Sequence, residues 1–208
     1  MYRTISILLL TFVATVSGAS QTPGQTTKCK LTPGQVSIRG VKLGMTTDEV
    51  LALFPGAAEE SQNQLSLQRA AGFPSFGLAY LGVTPNRDAA NKNNFKGIES
   101  YSITVFDGRV VNLEAFYQGP NSTPRGPQWP NTDELIGKFS ETYHLPGPGD
   151  WVDRNGGTKT VTCAGLDFMV AGGSAARASL IQSPPSWRDE IKKRQLAYED
   201  KLRSEFKP

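Results

Sequence analysis

The stretch 98–117 decides the fold, and it reads IESYSITVFDGRVVNLEAFY. It holds two runs rich in β-branched and aromatic residues, which we expect to form strands over Ile98–Val105 and Arg109–Tyr117. Asp107-Gly108 lies between the runs, and an aspartate–glycine pair in this position is a strong hairpin signal. The stretch therefore predicts a pair of antiparallel strands.

The register of this hairpin follows from which residues share a face. A bare two-residue turn would place Ile103 opposite Asn112, and apolar and polar residues would then be mixed on one face. A three-residue loop over Phe106–Gly108 avoids the mixing because it places Ile103 opposite Val111. We therefore expect Val111 in the core and Val110 on the opposite face.

That opposite face is the first candidate binding surface. Strand residues alternate between the two faces of a sheet, and an antiparallel sheet that is covered on one side leaves the other to solvent. The uncovered side of the hairpin carries polar residues and one aromatic residue, which are Ser102, Thr104, Asn112, Glu114 and Phe116. We expect these side chains to meet a partner.

A second candidate surface comes from the stretch 70–94. It is long for a connection in a compact domain, and long loops often carry function. It contains Phe73, Phe76 and Tyr80, and aromatic side chains are enriched where proteins bind one another. Two interpretations stay open, because these aromatic residues either bind a partner or cap the core.

Two capping boxes mark the starts of two helices. Thr46 precedes Glu49 by three residues, and Asn131 precedes Glu134 by the same spacing. In a capping box the N-cap side chain accepts a hydrogen bond from a backbone N–H of the first turn, and the glutamate side chain accepts one from the backbone N–H of the N-cap residue. A Pro-Gly dipeptide follows each apolar stripe and should end each helix.

Strands follow each predicted helix, so the chain has the order helix-then-strands twice. After the first helix we expect strands at Gln64–Arg69 and Phe76–Val83, followed by the hairpin. After the second we expect strands at Thr158–Cys163, Leu166–Ala171 and Ala176–Ile181. The expected fold class is α+β, with an antiparallel sheet, helices on one face, two similar halves and a C-terminal helix.

The C-terminal helix should begin with Ser186 as its N-cap. Its narrow apolar stripe is formed by Trp187, Ile191, Tyr198 and Leu202. The helix packs on its own domain or binds a partner, and both interpretations stay open. The expected segments are a signal peptide at 1–19, a linker at 20–35, a first half at 36–118, a Pro-rich connector at 119–130, a second half at 131–183 and the C-terminal helix at 184–208.

The N-terminal segment has the form of a secretory signal peptide. Arg3 supplies a positive charge, Ile7–Val16 is an apolar run with two threonine breaks, and small residues precede cleavage after Ala19. The run is too short to span about 30 Å of hydrocarbon comfortably. We therefore expect export to the periplasm or the medium, with no transmembrane segment in the mature chain.

The two cysteines fit an exported protein. Cys29 and Cys163 lack the Cys-x-x-Cys spacing of a redox or metal motif, and export would bring them to an oxidising compartment. We expect them to form one disulfide between the N-terminal linker and the second half. A loop of this length predicts a stabilisation on the order of 4 kcal/mol in the chain-entropy model.

The amino-acid composition limits the classes of chemistry and partner that we expect for this chain. The chain has 208 residues and a net charge of +3, which falls to +2 when Arg3 leaves with the signal peptide. The sequence has no basic run with interleaved aromatic residues, which is the pattern expected of a nucleic-acid-binding protein, so we expect no nucleic-acid partner. The single histidine, His144, lies at a predicted helix end, where a cation is favourable. Neither a nucleophile-elbow nor a phosphate-loop spacing occurs, so the sequence predicts no catalytic residue, metal site or cofactor.

One motif resembles a known structural family. Gly44-Met45-Thr46 is followed by Glu49-Val50 and by Pro55-Gly56. The pattern resembles that of a family that includes the BamE (SmpA/OmlA-type) outer-membrane assembly lipoproteins and the β-lactamase inhibitor proteins. The resemblance implies tandem helix-plus-sheet repeats, with helices on one face of an antiparallel sheet and surfaces used for protein association. It carries over the fold and no functional residue.

Three hypotheses about function follow. The first is an exported, non-enzymatic module that binds another protein or an envelope component through the open sheet face. The second is a hydrolase of envelope polymers that uses the adjacent carboxylates Asp48/Glu49 and Asp133/Glu134, although acids in a first helical turn also stabilise the helix dipole. The third is a carrier of a small ligand, which needs an enclosed apolar pocket.

Overall fold

The computed structural model describes residues 29–85, 93–117, 130–154, 157–173, 176–183 and 185–206. The predicted signal peptide lies outside the described residues, as does nearly all of the predicted connector. Within these ranges the helices are α1 (Thr47–Leu53), α2 (Ser61–Ala70), α3 (Thr132–Tyr143) and α4 (Ser186–Glu205). The strands are β1 (Ser37–Ile38), β2 (Val41–Lys42), β3 (Leu78–Val83), β4 (Ile98–Phe106), β5 (Arg109–Tyr117), β6 (Val152–Arg154), β7 (Thr158–Cys163), β8 (Leu166–Ala171) and β9 (Arg177–Gln182).

Seven of the strands form one antiparallel sheet in the order β3-β4-β5-β9-β8-β7-β6, and β1 pairs with β2 separately. The first half of the chain supplies β3 to β5, and the second half supplies β6 to β9. The halves join where β5 pairs with β9, with Leu113 opposite Leu180. The predicted α+β fold is confirmed, and both halves share a single sheet.

The core lies between this sheet and the helices α1 and α3. A row of apolar side chains crosses six strands and consists of Leu81, Ile103, Leu113, Leu180, Phe168 and Val161. Phe54, at the end of α1, has its ring centroid 5.6 Å from that of Tyr101. Phe139 of α3 lies 4.8 Å from Phe168 by the same measure. Aromatic contacts therefore join each helix to the sheet of its own half.

Both predicted capping boxes are formed. Thr46 Oγ1 accepts a hydrogen bond from the N–H of Glu49 at 3.2 Å, and Asn131 Oδ1 accepts one from the N–H of Glu134 at 2.8 Å. The Glu49 carboxylate accepts in turn from the N–H of Thr46, and this bond is the main reason that the pKa of Glu49 is lowered. Helix α3 ends at His144, a C-cap residue with a φ of 52°.

Each of these helix starts also binds a turn of the sheet in its own half. The N–H of Thr47 donates to the carbonyl of Gly108 in the β4–β5 turn at 2.9 Å. Thr132 Oγ1 accepts from the N–H of Gly172, just after β8, at 3.0 Å. A β carbon at Gly172 would collide with the backbone of Thr132, so the close approach requires glycine here.

Residues 64–69 belong to helix α2, so the prediction of a strand there is wrong. Leu65 and Leu67 alternate with polar residues, as they would in a half-buried strand. A run this short fits one side of a helix equally well, and periodicity alone cannot separate the two.

Helix α2 runs along the free edge of β3 and binds its backbone. Ser66 Oγ accepts from the N–H of Tyr80 at 2.7 Å. Asn63, which is 1% exposed, accepts from the N–H of Gly82 at 2.9 Å and donates to its carbonyl at 3.0 Å. The backbone groups of an edge strand are thus paired by side chains in place of another strand.

The β4–β5 hairpin has the predicted strands, but its register differs from the prediction. The turn has two residues, and beyond it Val105 pairs with Val110. The register then shifts by one, so that Ile103 pairs with Leu113 and Val111 is left as a β-bulge. The predicted three-residue loop is wrong, because the bulge rather than the turn keeps apolar and polar residues on separate faces.

The bulge exchanges the predicted places of Val110 and Val111. Val110 belongs to the core, and Val111 is buried on the opposite side, where it lines a groove beside α4. The backbone of Val110 binds the N–H of Gly44 at 2.8 Å and the carbonyl of Met45 at 2.9 Å. The segment before α1 therefore pairs with the start of β5, an interaction that hairpin rules applied to strands alone do not anticipate.

Three short features complete the comparison with the sequence. Strands β1, β2 and β6 were not predicted, since two or three residues are too few for a periodic signal. Strand β9 begins one residue later than expected, at Arg177. Ser186 is the first residue of α4 and not its N-cap, which is Pro185 and forms no side-chain cap.

The predicted disulfide between Cys29 and Cys163 is formed. It links residues 134 positions apart and joins the N-terminal segment to the end of β7. The N–H of Ala164 also donates to the carbonyl of Cys29 at 3.2 Å. Across the described ranges, none of the helices is both long and apolar enough to cross a membrane.

Candidate functional site

The face of the seven-stranded sheet that points away from α1 and α3 is called the outer face. One row across it consists of Tyr80, Thr104, Asn112, Ile181, Asp167 and Thr162. The next row consists of Gly82, Ser102, Glu114, Ser179, Met169 and Thr160. The structure therefore brings together six of the eight predicted binding residues, which are Tyr80, Ser102, Thr104, Asn112, Glu114 and Phe116.

An ion pair lies near the middle of the outer face. Glu114 Oε1 is 3.3 Å from Arg177 Nε and also accepts a hydrogen bond from Ser179 Oγ at 3.3 Å. Both charged side chains are partly exposed. Because solvent screens such a pair, it contributes little to stability and leaves oxygen and nitrogen atoms available to a partner.

Aromatic and aliphatic side chains share the outer face with this ion pair. Tyr80 is 58% exposed on the edge strand, and Phe116, Met169 and Ile181 are each partly exposed. Aromatic residues, methionine and arginine are enriched at protein interfaces relative to the rest of a protein surface. The exposed residues of the outer face include each of these types.

Two predicted residues of this face offer little surface. Thr104 is buried between its neighbours, and Asn112 is half-buried. The Oδ1 atom of Asn112 is inaccessible and has no hydrogen-bond partner among the described residues. These two side chains form the floor of the face rather than its contact atoms.

Phe73 and Phe76 do not lie on the outer face. They pack with Tyr198 of α4, whose ring centroid is 4.8 Å from that of Phe73 and 5.9 Å from that of Phe76. Phe73 remains 64% exposed at the rim of this cluster. These two side chains therefore hold a helix of the same chain and do not cap the core, while their contact with a partner stays a prediction.

Helix α4 crosses the end of the outer face nearest the β4–β5 turn, and Arg194 holds it there. Its guanidinium binds both carboxylate oxygens of Asp107, at 2.8 and 2.7 Å, and stacks 5.0 Å from the ring centre of Phe106. It also donates to the carbonyl of Phe76 at 3.1 Å and to Glu190 at 3.1 Å. The hydrogen bonds from Arg194 lower the pKa of Asp107.

Two cavities lie on either side of Asp107. A groove of about 490 Å³ separates the first turns of α4 from the sheet and is lined by Phe106, Arg109, Val111 and Trp187 among others. A more apolar pocket of about 310 Å³ lies between α2 and the hairpin, where Leu67, Ala70, Ala79 and Val105 line it. The second is the better match for an apolar ligand.

Sequence reasoning missed the share of the outer face that the second half provides. This share includes Arg177, Met169 and Ile181. The alternation of residue types could have revealed it, since apolar residues of β8 at 166, 168 and 170 alternate with outward-facing ones. The Asp107–Arg194 pair carried no such signal. Its partners are 87 residues apart, and Arg194 stands among many charges of both signs.

The acidic pairs of the hydrolase hypothesis lie in the first turns of α1 and α3. Glu49 and Glu134 are engaged in the capping boxes, as the helix-dipole interpretation predicts. His144 is exposed at the end of α3. In the part of the chain that the structure describes, no three histidine, cysteine or acidic side chains are grouped to hold a metal ion.

No protein-family model, curated protein or solved structure matches the chain. The candidate site is therefore defined by its own geometry.

Proposed function

We propose that this chain is an exported, non-enzymatic protein that binds another protein through the outer face. The observation that carries the proposal is a set of exposed aromatic, methionine and arginine side chains on one face, with Tyr80 projecting from the edge strand. Tyrosine supplies a large contact area together with a hydroxyl group, which is why it is enriched at binding hot spots.

Export is proposed from two observations. The segment 1–19 has the composition of a signal peptide. The Cys29–Cys163 disulfide is compatible with an oxidising compartment. The resemblance of the Gly44–Gly56 segment to the BamE and β-lactamase-inhibitor family supports the same type of function, because that family uses such surfaces for protein association.

Site-specific photo-crosslinking in the envelope of the native host tests the proposal. A photoreactive amino acid at Ser102, exposed on the outer face, should crosslink a discrete protein. The same group at Lys138, exposed on α3, serves as the control for random collisions. Identical products from both positions, or no product from position 102, would contradict the proposal.

A matched pair of substitutions tests the contact itself. Tyr80→Ala should reduce the crosslink from position 102 about tenfold, since truncation of a hot-spot aromatic residue typically costs more than 1 kcal/mol. Leu65→Ala removes an apolar side chain that is 48% exposed on α2, away from the outer face, and should leave the crosslink unchanged. An equal loss of the crosslink in both variants would indicate loss of folded protein.

A carrier function is the second candidate, and the apolar pocket of about 310 Å³ favours it. Its lining includes Ala70 and Ala79, which leave space rather than fill it. Native mass spectrometry of the protein purified from its host should then reveal a bound apolar molecule that Ala79→Leu removes. The absence of an adduct from the unaltered protein, or the same adduct on both proteins, would contradict the carrier function.

A further inference from the structure

We propose that the surface beneath α4 is a receptor for amphipathic helices that present an arginine and, four residues later, an aromatic residue, and that α4 is its displaceable occupant. The proposal rests on the proposed function and names the type of partner for one end of the outer face. The receptor consists of Asp107, Phe106, Phe73 and the backbone of 76–77.

The receptor recognises a guanidinium by shape as well as by charge. Asp107 binds Arg194 through two parallel hydrogen bonds, a geometry that lysine cannot reproduce. The ring of Phe106 and the carbonyl of Phe76 supply two further contacts. A β carbon at Gly77 would collide with Asp107 and lie 2.8 Å from Arg194 Nη1, so the backbone leaves room for this group only because glycine is present.

The aromatic contact lies one helical turn further along. Tyr198 follows Arg194 by four residues, a spacing that places both side chains on the same side of a helix. Its ring stacks on that of Phe73 at an angle of 19° and meets Phe76 edge-on. The receptor therefore binds two side chains of an incoming helix, the arginine and the aromatic residue.

Helix α4 occupies this surface without being built into the core. None of its residues, described from Ser186 to Glu205, is buried. The groove of about 490 Å³ shows that its first turns do not fill the space above the sheet. The indole N–H of Trp187 is inaccessible and has no acceptor among the described residues, a destabilising arrangement that displacement would relieve.

The far end of α4 extends beyond the receptor. Leu202 is 49% exposed and Phe206 is 77% exposed. Leu202 continues the stripe of Ile191 and Tyr198, but lies past the Phe73 cluster. A helix that binds chiefly through two side chains and leaves Leu202 and Phe206 in solvent can be replaced by one that makes the same two contacts.

The test adds a fluorescein-labelled synthetic peptide of residues 186–206 to the full chain and measures fluorescence anisotropy. The peptide must compete with the attached α4, so binding to the unaltered protein should be weak. Arg194→Ala in the chain loosens its own helix and leaves the receptor intact. This variant should bind the peptide about fivefold more tightly, as expected for loss of one surface ion pair and its stacking contact.

Asp107→Asn removes the receptor carboxylate for the attached α4 and for the peptide alike, so its peptide affinity should stay close to that of the unaltered chain and about fivefold below that of Arg194→Ala. Asparagine is suitable because residue 107 has a φ of 47°, which asparagine tolerates. Lys201→Ala, which removes an i,i+4 pair with Glu205 beyond the receptor, is the matched control and should behave as the unaltered chain. A peptide with alanine in place of the arginine should bind the Arg194→Ala chain about fivefold more weakly than the unaltered peptide does.

Equal peptide affinity of the unaltered and Arg194→Ala chains, or of the Arg194→Ala and Asp107→Asn chains, would overturn the proposal. Tyr198→Ala in the chain provides a second loosened variant if Arg194→Ala does not fold. Because the peptide replaces the natural partner, this result is independent of whether the crosslinking experiment finds one. Failure of that experiment with tight peptide binding would reject the outer-face function and retain the receptor.

Discussion

The ionisation of a single carboxyl group reports on the attachment of α4. Arg194 lowers the pKa of Asp107 in the folded chain below the value of about 3.9 expected in an unfolded one. The pair therefore stabilises the fold fully above that value, and the contribution is lost as the pH falls through the lower, folded pKa. Both side chains are substantially exposed, so solvent screens the pair and its contribution to stability is small.

We predict that a carboxyl-carbon NMR titration will show Asp107 to titrate below its ordinary range. In the Arg194→Ala variant its pKa should return towards about 3.9, because the donor of the two hydrogen bonds is absent. An unchanged Asp107 titration in the variant would show that the bidentate pair does not form in solution.

Asn63 is predicted to be the most sensitive polar residue of the first half. Asn63→Ala leaves the N–H and carbonyl of Gly82 without their partner and should lower the free energy of unfolding by about 1–3 kcal/mol. Gln62→Ala changes an exposed neighbour on the same helix and is the control. Urea denaturation measures both, and an equal effect of the two substitutions would argue against the bridge.

Among elements, helices with a capping signal were predictable and short strands were not. The boxes at Thr46 and Asn131 were predicted to the residue, because a cap depends on side chains three positions apart. The assignment at 64–69 failed because what holds α2 in place is the edge of β3, which lies far from it in sequence. Similarly, the bulge at Val111 depends on the 44–45 segment pairing with β5.

The cap of α3 can be tested by one position with two substitutions. Asn131→Ala removes the acceptor for the N–H of Glu134 and should cost about 1 kcal/mol, whereas Asn131→Ser keeps a good cap and should be close to neutral. Thermal unfolding followed by circular dichroism distinguishes the two. A similar loss for serine would mean that Asn131 acts through something other than the cap.

At the scale of the molecule, the sequence predicts the fold class and the disulfide better than it predicts the position of helix α4. Disulfide pairing, fold class and five residues of the outer face follow from alternation and redox arguments, which need no knowledge of distant contacts. The position of α4 does not, since its attachment depends on Asp107 and Arg194, which lie 87 residues apart. Long-range side-chain pairing leaves no periodic trace in a single sequence.

We predict that reduction of the Cys29–Cys163 bond will lower the free energy of unfolding by about 4 kcal/mol, chiefly because the unfolded chain regains its freedom. The comparison is urea denaturation of the oxidised protein and of the Cys29→Ser/Cys163→Ser variant. Thiol titration of the denatured, unreduced chain should find no free thiol. Two reactive thiols, or equal stability of both proteins, would contradict the role of this bond.

The pairing of α2 with β3 has a consequence for how copies of the chain behave at high concentration. A β-sheet with an unpaired outer strand can recruit the same strand of a neighbour and grow into a polymer. Ser66 and Asn63 occupy the groups of β3 that such growth would use, and the opposite outer strand, β6, is only three residues long. The β3 end of the seven-stranded sheet is therefore closed to further strands and the β6 end offers only a short one, which limits the growth of this sheet into a fibril.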